Sequence, residues 1–217
     1  MPTPRAGYKT KDGKKVPGVT TIIGRFKDSG ALLWWAFEQG KAAERGEINS
    51  LYDKRDEAAD AGTLAHSMVE KHINGEEVKP SDNKAAQQGY ENYLQWEKDN
   101  KITIVEQEIQ LVSEVCRFGG TPDAIGIDSQ NRVVLLDWKT SSSGPYVDWL
   151  LQLAAYKILW TENNPDQPIT GGFHLLKFSK EYADFSHFFW SELDDAEEYF
   201  IHLLKAYALD KKLKGRI

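Results

Sequence analysis

The sequence predicts an α/β fold in which a central mixed β-sheet is flanked by helices, with a largely helical N-terminal part. Two observations carry this expectation. Segments of helical periodicity and β-type runs follow one another in the order ααα-βββ-α-ββ-α, which suits helices packed on a sheet. The run Val133–Lys139 (VVLLDWK) is apolar on both of its alternating faces, as in a strand covered on both sides. At 217 residues with 41 % hydrophobic content and seven Trp, nine Tyr and nine Phe, the chain has ample material for one core. The expectation is one domain, 1–217, mainly helical over 1–100, with the sheet core and a last helix over 101–217.

Composition narrows the class. No apolar run is long enough to span a membrane, and the opening MPTPRAGYKTKDGKK has no apolar signal-peptide core. The single cysteine, Cys116, excludes an internal disulfide framework and a four-cysteine iron–sulfur cluster, and it fits a reducing compartment. A net charge of −6 argues against a surface that holds nucleic acid by phosphate contacts alone. Two basic clusters, Arg5, Lys9, Lys11, Lys14 and Lys15 near the start and Lys205, Lys211, Lys212, Lys214 and Arg216 near the end, read as solvated tails.

Taken in order, Val16–Ile23 (VPGVTTII) reads as an extended entry. Gly30–Arg45 reads as a helix whose adjacent Trp34 and Trp35 point about 100° apart; core packing of both rings is favoured over base stacking by an exposed one. Asp53–Asn74 is a helix closed by Gly75, with Ala61, Leu64, Ala65, Met68 and Val69 as its apolar stripe and His66 on the adjoining row. Ser81–Asn100 is a third helix, and Lys101–Val112 alternates as a strand with Glu106 and Glu108 on one face. A Thr/Ser/Gly/Pro loop, 140–145, leads into a helix over Tyr146–Glu162 started by Pro145. Ile169–Phe178 and Tyr182–Trp190 are further strands, and Asp194–Lys212 is an amphipathic last helix.

The chemistry concentrates between Phe118 and Tyr156. On Val133–Lys139 one face holds Val133, Leu135, Asp137 and Lys139, so a buried strand ends in a carboxylate and an ammonium. Buried charges persist only when paired or metal-bound. Asp123 lies on the run before, and Asp128-Ser129-Gln130-Asn131 is a turn signal that makes the two runs a hairpin. A four-residue turn at 128–131 would pair Asp123 with Leu136 on the wrong face; a five-residue turn reaching Arg132, or a bulge, puts it beside Asp137. Pro122 cannot donate to a ladder, so an irregularity is expected there.

Gly62-x-x-x-His66, Glu108, Gly120-x-x-Asp123, Asp137-Trp138-Lys139-Thr140 and Gln152-x-x-x-Tyr156, in this order, resemble the PD-(D/E)XK nuclease superfamily in its RecB-like exonuclease branch. The resemblance implies a restriction-endonuclease-like core and a metal-dependent nuclease acting on DNA ends in recombination, repair or phage DNA processing. It implies that His66, Asp123, Asp137 and the Trp138 carbonyl hold one or two Mg²⁺ or Mn²⁺ ions, with no iron–sulfur cluster. Lys139, Asp137, Asp123 and Glu108 would be catalytic, with Glu106 in place of Glu108 if the register is shifted. Gln152, Tyr156, Thr140, Ser141 and Ser142 would meet the DNA, the hydroxyls and the following helix N-terminus offering donors to phosphate. No Gly-x4-Gly-Lys-Ser/Thr loop is present, so any motor would be a partner helicase or recombination protein. The expected location is the cytoplasm, or a host cytoplasm for a phage protein.

Overall fold

A computed structural model of the chain describes residues 7–28, 30–47, 53–141, 143–178 and 185–216, with the side chains of 31, 32 and 53–60 outside that description. Arg5 and Ser142 therefore lie outside the described residues, as do 182–184 of the run expected over Tyr182–Trp190. The chain opens with a small hairpin, β1 (Tyr8–Lys9) and β2 (Lys15–Val16), then helices α1 (Val19–Phe26), α2 (Gly30–Glu44), α3 (Asp53–Ile73) and α4 (Lys84–Asn100). Strands β3 (Thr103–Gln107), β4 (Leu111–Val112), β5 (Gly119–Gly120), β6 (Ala124–Ile127) and β7 (Val133–Thr140) follow. Helix α5 (Val147–Asn163), strands β8 (Ile169–Phe178) and β9 (Phe185–Trp190), and helix α6 (Asp194–Lys214) complete it.

The central sheet has the order β3-β6-β7-β8-β9. Only β7 and β8 run parallel, joined through α5, since parallel neighbours need a crossover. β7 is the central strand and its two faces feed two cores. Val133 and Leu135 pack with Ile22, Leu153, Leu159 and Phe200 from α1, α5 and α6. Val134, Leu136 and Trp138 pack with Val69, Tyr93 and Trp96 from α3 and α4. The sheet is thus covered on both sides, and the α/β expectation holds.

Caps set the helix limits. Asn83 Oδ1 accepts from Ala86 N–H at 3.0 Å, so α4 starts at Lys84 and not at Ser81. Gly75, at φ +71°, closes α3 by donating to the His72 carbonyl while Glu76 donates to Lys71. At α5 the residue before the helix is Tyr146, so Pro145 precedes the first turn instead of occupying it.

Four expectations need correction. Val19–Phe26 is a helix, because Val19, Ile22 and Ile23 fall on one buried helical face; the extended part ends with Gly18, which bridges Gly119. Trp34 and Trp35 are not core: they are 65 % and 40 % exposed. The strand expected over Lys101–Val112 is broken. β3 slips register between Ile104 and Glu106, leaving Val105 exposed, and Glu108 has φ +48°, after which β4 pairs with β5 in a separate two-stranded sheet. Finally, the C-terminal cations sit on α6 to Lys214 and not on a tail.

Candidate active site

The hairpin β6–β7 decides whether Asp123 and Asp137 meet. Ile127 pairs with Val133 and Ala124 with Leu136, so the turn has five residues, and the same register carries Asp123 opposite Asp137. Asp128 enforces this length. Its Oδ1 accepts from the backbone N–H of Gln130 and of Arg132, both at 2.9 Å, and its Oδ2 from Arg132 Nε at 2.7 Å. Asn131 supplies the left-handed residue, φ +58°, that such a turn needs. The irregularity expected at Pro122 takes the form of a strand break between β5 and β6, with a bend at Asp123.

At the other end of the hairpin the charges converge. Asp123 and Asp137 are both buried. Asp123 Oδ2 accepts from Trp138 N–H at 2.6 Å, and Lys139 Nζ lies against Asp137 Oδ2 as an ion pair. Asp123 Oδ1 and both Asp137 oxygens have no hydrogen-bond partner. Asp137 Oδ2 thus has Coulombic contact with Lys139 but lies outside hydrogen-bonding geometry. Burial, and then the charge of Asp137, push the Asp123 carboxyl well above its ordinary range; Lys139 and the Trp138 N–H pull the other way. Asp123 Oδ1 and Asp137 Oδ1 have neither a hydrogen bond nor an ion pair, which is costly in a protein interior. Hard oxygen donors packed without partners suit a divalent cation.

A cavity of about 480 Å³ opens over this strand end. Asp123, Trp138, Lys139 and Thr140 line it from the hairpin side, His66 and Thr63 from α3, and Trp149, Gln152 and Tyr156 from α5. Two glycines permit the approach of these elements. A Cβ on Gly62 would lie 1.9 Å from Thr140 Cγ2, and one on Gly120 would lie 2.7 Å from Tyr156 Cε1. Gly62 therefore lets α3 press on the end of β7, which brings His66, one turn on, to the cavity. Gln152 Nε2 donates to Tyr156 Oη at 2.7 Å. Burial and then the two carboxylates raise the Tyr156 phenol well above its usual value, so it stays neutral.

His66 Nδ1 lies 3.2 Å from Glu70 Oε1. Burial and then nearby positive charge, Lys139 included, lower His66 to about 4, so at neutral pH the ring is neutral and the contact with Glu70 is not an ion pair. Burial raises the Glu70 carboxyl, and so does the neighbouring Glu108 carboxylate. Glu108 in turn donates its backbone N–H to the Asp123 carbonyl at 3.0 Å. Glu108 is thus tied to Asp123 by its backbone and lies beside Glu70, although its side chain, like that of Glu106 on β3, is exposed. Neither glutamate lines the cavity. Among the described residues no three His, Cys, Asp or Glu side chains cluster as a metal site: His66 lines the cavity with Asp123, while Asp137 is fully buried behind that lining. Thr140 lines the cavity. Ser141 donates its N–H to the Phe178 carbonyl at 3.0 Å, and its hydroxyl accepts from Ser143 N–H at 3.3 Å.

Sequence reasoning missed Glu70, and it did not anticipate that Lys177, outside the cavity lining, is buried. Glu70 continues the four-residue spacing Gly62, His66, Glu70 on one helix face. Lys177 is buried and pairs in register with Lys139; its alternation with Phe173 and Leu175 on β8 was the available signal. The remaining histidines are structural. His72 bridges Glu97 at 3.0 Å and Tyr90 at 3.2 Å, His174 bonds His187 at 2.9 Å, and His202 bonds its own helix.

The sequence matches the PD-(D/E)XK nuclease superfamily over residues 83–211, more than half of the chain, and the protein belongs to that family. The family is one of nucleases that use divalent metal ions. No curated protein matches the chain. Among solved structures it is similar to an exonuclease candidate from Eubacterium rectale at 15 % identity and TM-score 0.44, over 67 % of this chain and 64 % of that one. It thus spans less than two thirds of that structure's length. It is also similar to an alkaline exonuclease from Laribacter hongkongensis at 10 % identity and TM-score 0.35, over 73 % of this chain and 90 % of that one. Among the described residues no helix is long and apolar enough to cross a membrane.

Proposed function

We propose that the protein is a Mg²⁺- or Mn²⁺-dependent exodeoxyribonuclease that hydrolyses phosphodiester bonds from DNA ends. The observation that carries the metal-dependent reading is the buried pair Asp123 and Asp137, with three oxygens lacking hydrogen-bond partners beside Lys139. Those two carboxylates, the Trp138 carbonyl and His66 would hold the ion. When bound, a divalent cation neutralises charge developing on the phosphoryl oxygens and makes water a better nucleophile near neutral pH. His66 has an unprotonated nitrogen to offer at that pH, because burial holds the ring neutral. An imidazole beside carboxylates favours Mn²⁺ as a competent alternative to Mg²⁺.

The chain's other residues supply orientation. Lys139, on the same face of β7 as Asp137, positions the attacking water by hydrogen bonding and stabilises negative charge on it. Tyr156, a neutral phenol bonded to Gln152, donates to a phosphate oxygen, and Thr140, Ser141 and Ser142 offer hydroxyls or N–H groups to the backbone of the strand. Glu108, linked to His66 through Glu70, fixes the ring or holds water. Preference for ends follows from the RecB-like motif order. A role in recombination, repair or phage DNA processing, a cytoplasmic setting and a separate helicase or recombination partner belong to the same reading.

Digestion of end-labelled linear DNA beside closed circular DNA, single- and double-stranded, tests it. Loss of linear DNA alone, abolished by chelator and by Lys139→Ala, is expected. Cutting of circles would mean an endonuclease on the same fold, and no cleavage with wild type would mean a binding module that kept the fold.

A further inference from the structure

The two basic clusters, nearly the whole chain apart in sequence, meet at one place in the fold. Lys14 and Lys15 of the β1–β2 hairpin face Lys205 and Lys211 of α6 across a groove of about 480 Å³, with Arg117 at its edge. Its walls are apolar: Val16 and Pro17 on one side, Ile201, Leu204 and Ala208 on the other. It shares no lining residue with the cavity over Asp123. Asp12 pairs with Lys14 at 3.1 Å and with Arg117 at 3.2 Å. Among the described residues Lys15, Lys205 and Lys211 have no ion-pair partner.

From this arrangement we propose that the groove is a docking site for an acidic peptide segment of a partner protein, anchored by one or two large apolar side chains. An apolar trough flanked by cations complements a chain that alternates carboxylates with a buried anchor: the anchor supplies affinity and the charges supply steering and register. The overall charge of −6 makes five cations around one trough a local feature and not a general property of the surface. A nucleic acid backbone has no use for the aliphatic walls, since phosphate contacts are polar and spread along a stripe. A second copy of this chain is disfavoured too, because the acidic run Asp194, Asp195, Glu197 is already folded into the first turn of α6.

The test is fluorescence anisotropy with a short fluorescein-labelled peptide in which glutamates flank two phenylalanines. Saturable binding is expected, weakened roughly tenfold or more by the double variant Lys205→Glu/Lys211→Glu and by replacing both phenylalanines with serine. Nuclease activity on linear DNA and the melting temperature should be unchanged in the variant. Lys15→Glu, on the opposite wall, should weaken binding in the same direction. Absence of saturable binding, or binding indifferent to these substitutions, would overturn the assignment. So would a labelled single-stranded oligonucleotide that displaces the peptide and shows the same sensitivity to Lys205→Glu/Lys211→Glu. A dimer in sedimentation that the double variant dissolves would give the groove to a second copy instead.

Discussion

The two ends of the β6–β7 hairpin carry similar residues in opposite condition. At the turn, Asp128 accepts two backbone N–H groups and the Arg132 guanidinium, and the hydrogen bonds from Arg132 and Gln130 hold its carboxyl below the ordinary range despite some desolvation. At the far end, Asp123 and Asp137 are buried with two oxygens unpartnered and a third held only by the Lys139 ion pair, and Asp123 is pushed the other way. One end spends its carboxylate on structure. The other keeps its carboxylates available at a cost in stability, the usual signature of a site.

The strongest way to break the contrast is to neutralise one carboxylate at each end. Asp137→Asn should lower nuclease activity by about 10³-fold or more, the equivalent of ~4 kcal/mol of lost transition-state stabilisation. It should change chemical-denaturation stability little, because relief of the repulsion between the two buried carboxylates is offset by leaving Lys139 without its partner. Asp128→Ala should do the reverse, costing about 1–2 kcal/mol of stability and reducing activity only as far as the register of Asp123 loosens. If Asp137→Asn unfolds the protein while Asp128→Ala is silent, the two ends have been read the wrong way round.

Metal sharpens the same contrast. Mn²⁺ at a hundredfold excess over its dissociation constant should raise stability by about 2.7 kcal/mol. Asp137→Asn should abolish that gain, Asp128→Ala should retain it, and chelation should remove it. Thermal melts with and without Mn²⁺ check all three, and an equal gain in wild type and Asp137→Asn would place the cation elsewhere.

A third buried polar group tests whether burial alone marks function. His174 and His187 stack on neighbouring strands with an interplanar angle of 1° and share one hydrogen bond, under Trp96. Burial, and then His187, lower His174 from 6.5 to about 4, and burial lowers His187. Between those values the unfolded chain binds protons that the folded chain does not, so stability is full above pH 6.5 and is lost as pH falls towards 4. The expected loss is of the order of 1–3 kcal/mol. His174→Gln should flatten this slope with nuclease activity at neutral pH kept, whereas a slope unchanged in the variant would assign the acid sensitivity to other groups.

These contrasts also explain what the sequence could reveal. The face of β7 was legible because strand alternation has a period of two and the apolar run is unbroken up to Asp137. The partner of Asp123 was not, because it depends on turn length, and that length is fixed by the hydrogen bonds of one side chain, Asp128. Val16–Ile23 misled because β-branched residues favour extension, although Val19, Ile22 and Ile23 also fit helical spacing. Trp34 and Trp35 misled because aromatic rings are usually buried, and exposure depends on what packs on α2, which local sequence does not encode. The two lysine clusters looked like tails because nothing local says that a hairpin and the last helix adjoin.

The smallest expected effect concerns the two glutamates of the β3 edge, indistinguishable by strand alternation. The slip between Ile104 and Glu106 and the left-handed backbone of Glu108 separate them: both are exposed, but Glu108 lies beside Glu70 and, through it, near His66, while Glu106 stays on β3. Glu108→Gln should therefore lower nuclease activity by about tenfold, and Glu106→Gln should leave it unchanged. Glu108→Gly distinguishes side chain from backbone, because it accepts φ +48° without strain yet removes the carboxylate. If Glu108→Gly loses activity as Glu108→Gln does, the carboxylate is what matters; if it keeps wild-type activity, the bend serves only to hold the Asp123 carbonyl. Equal losses in Glu106→Gln and Glu108→Gln would mean that the β3 edge acts through its charge and not through the contact with Glu70.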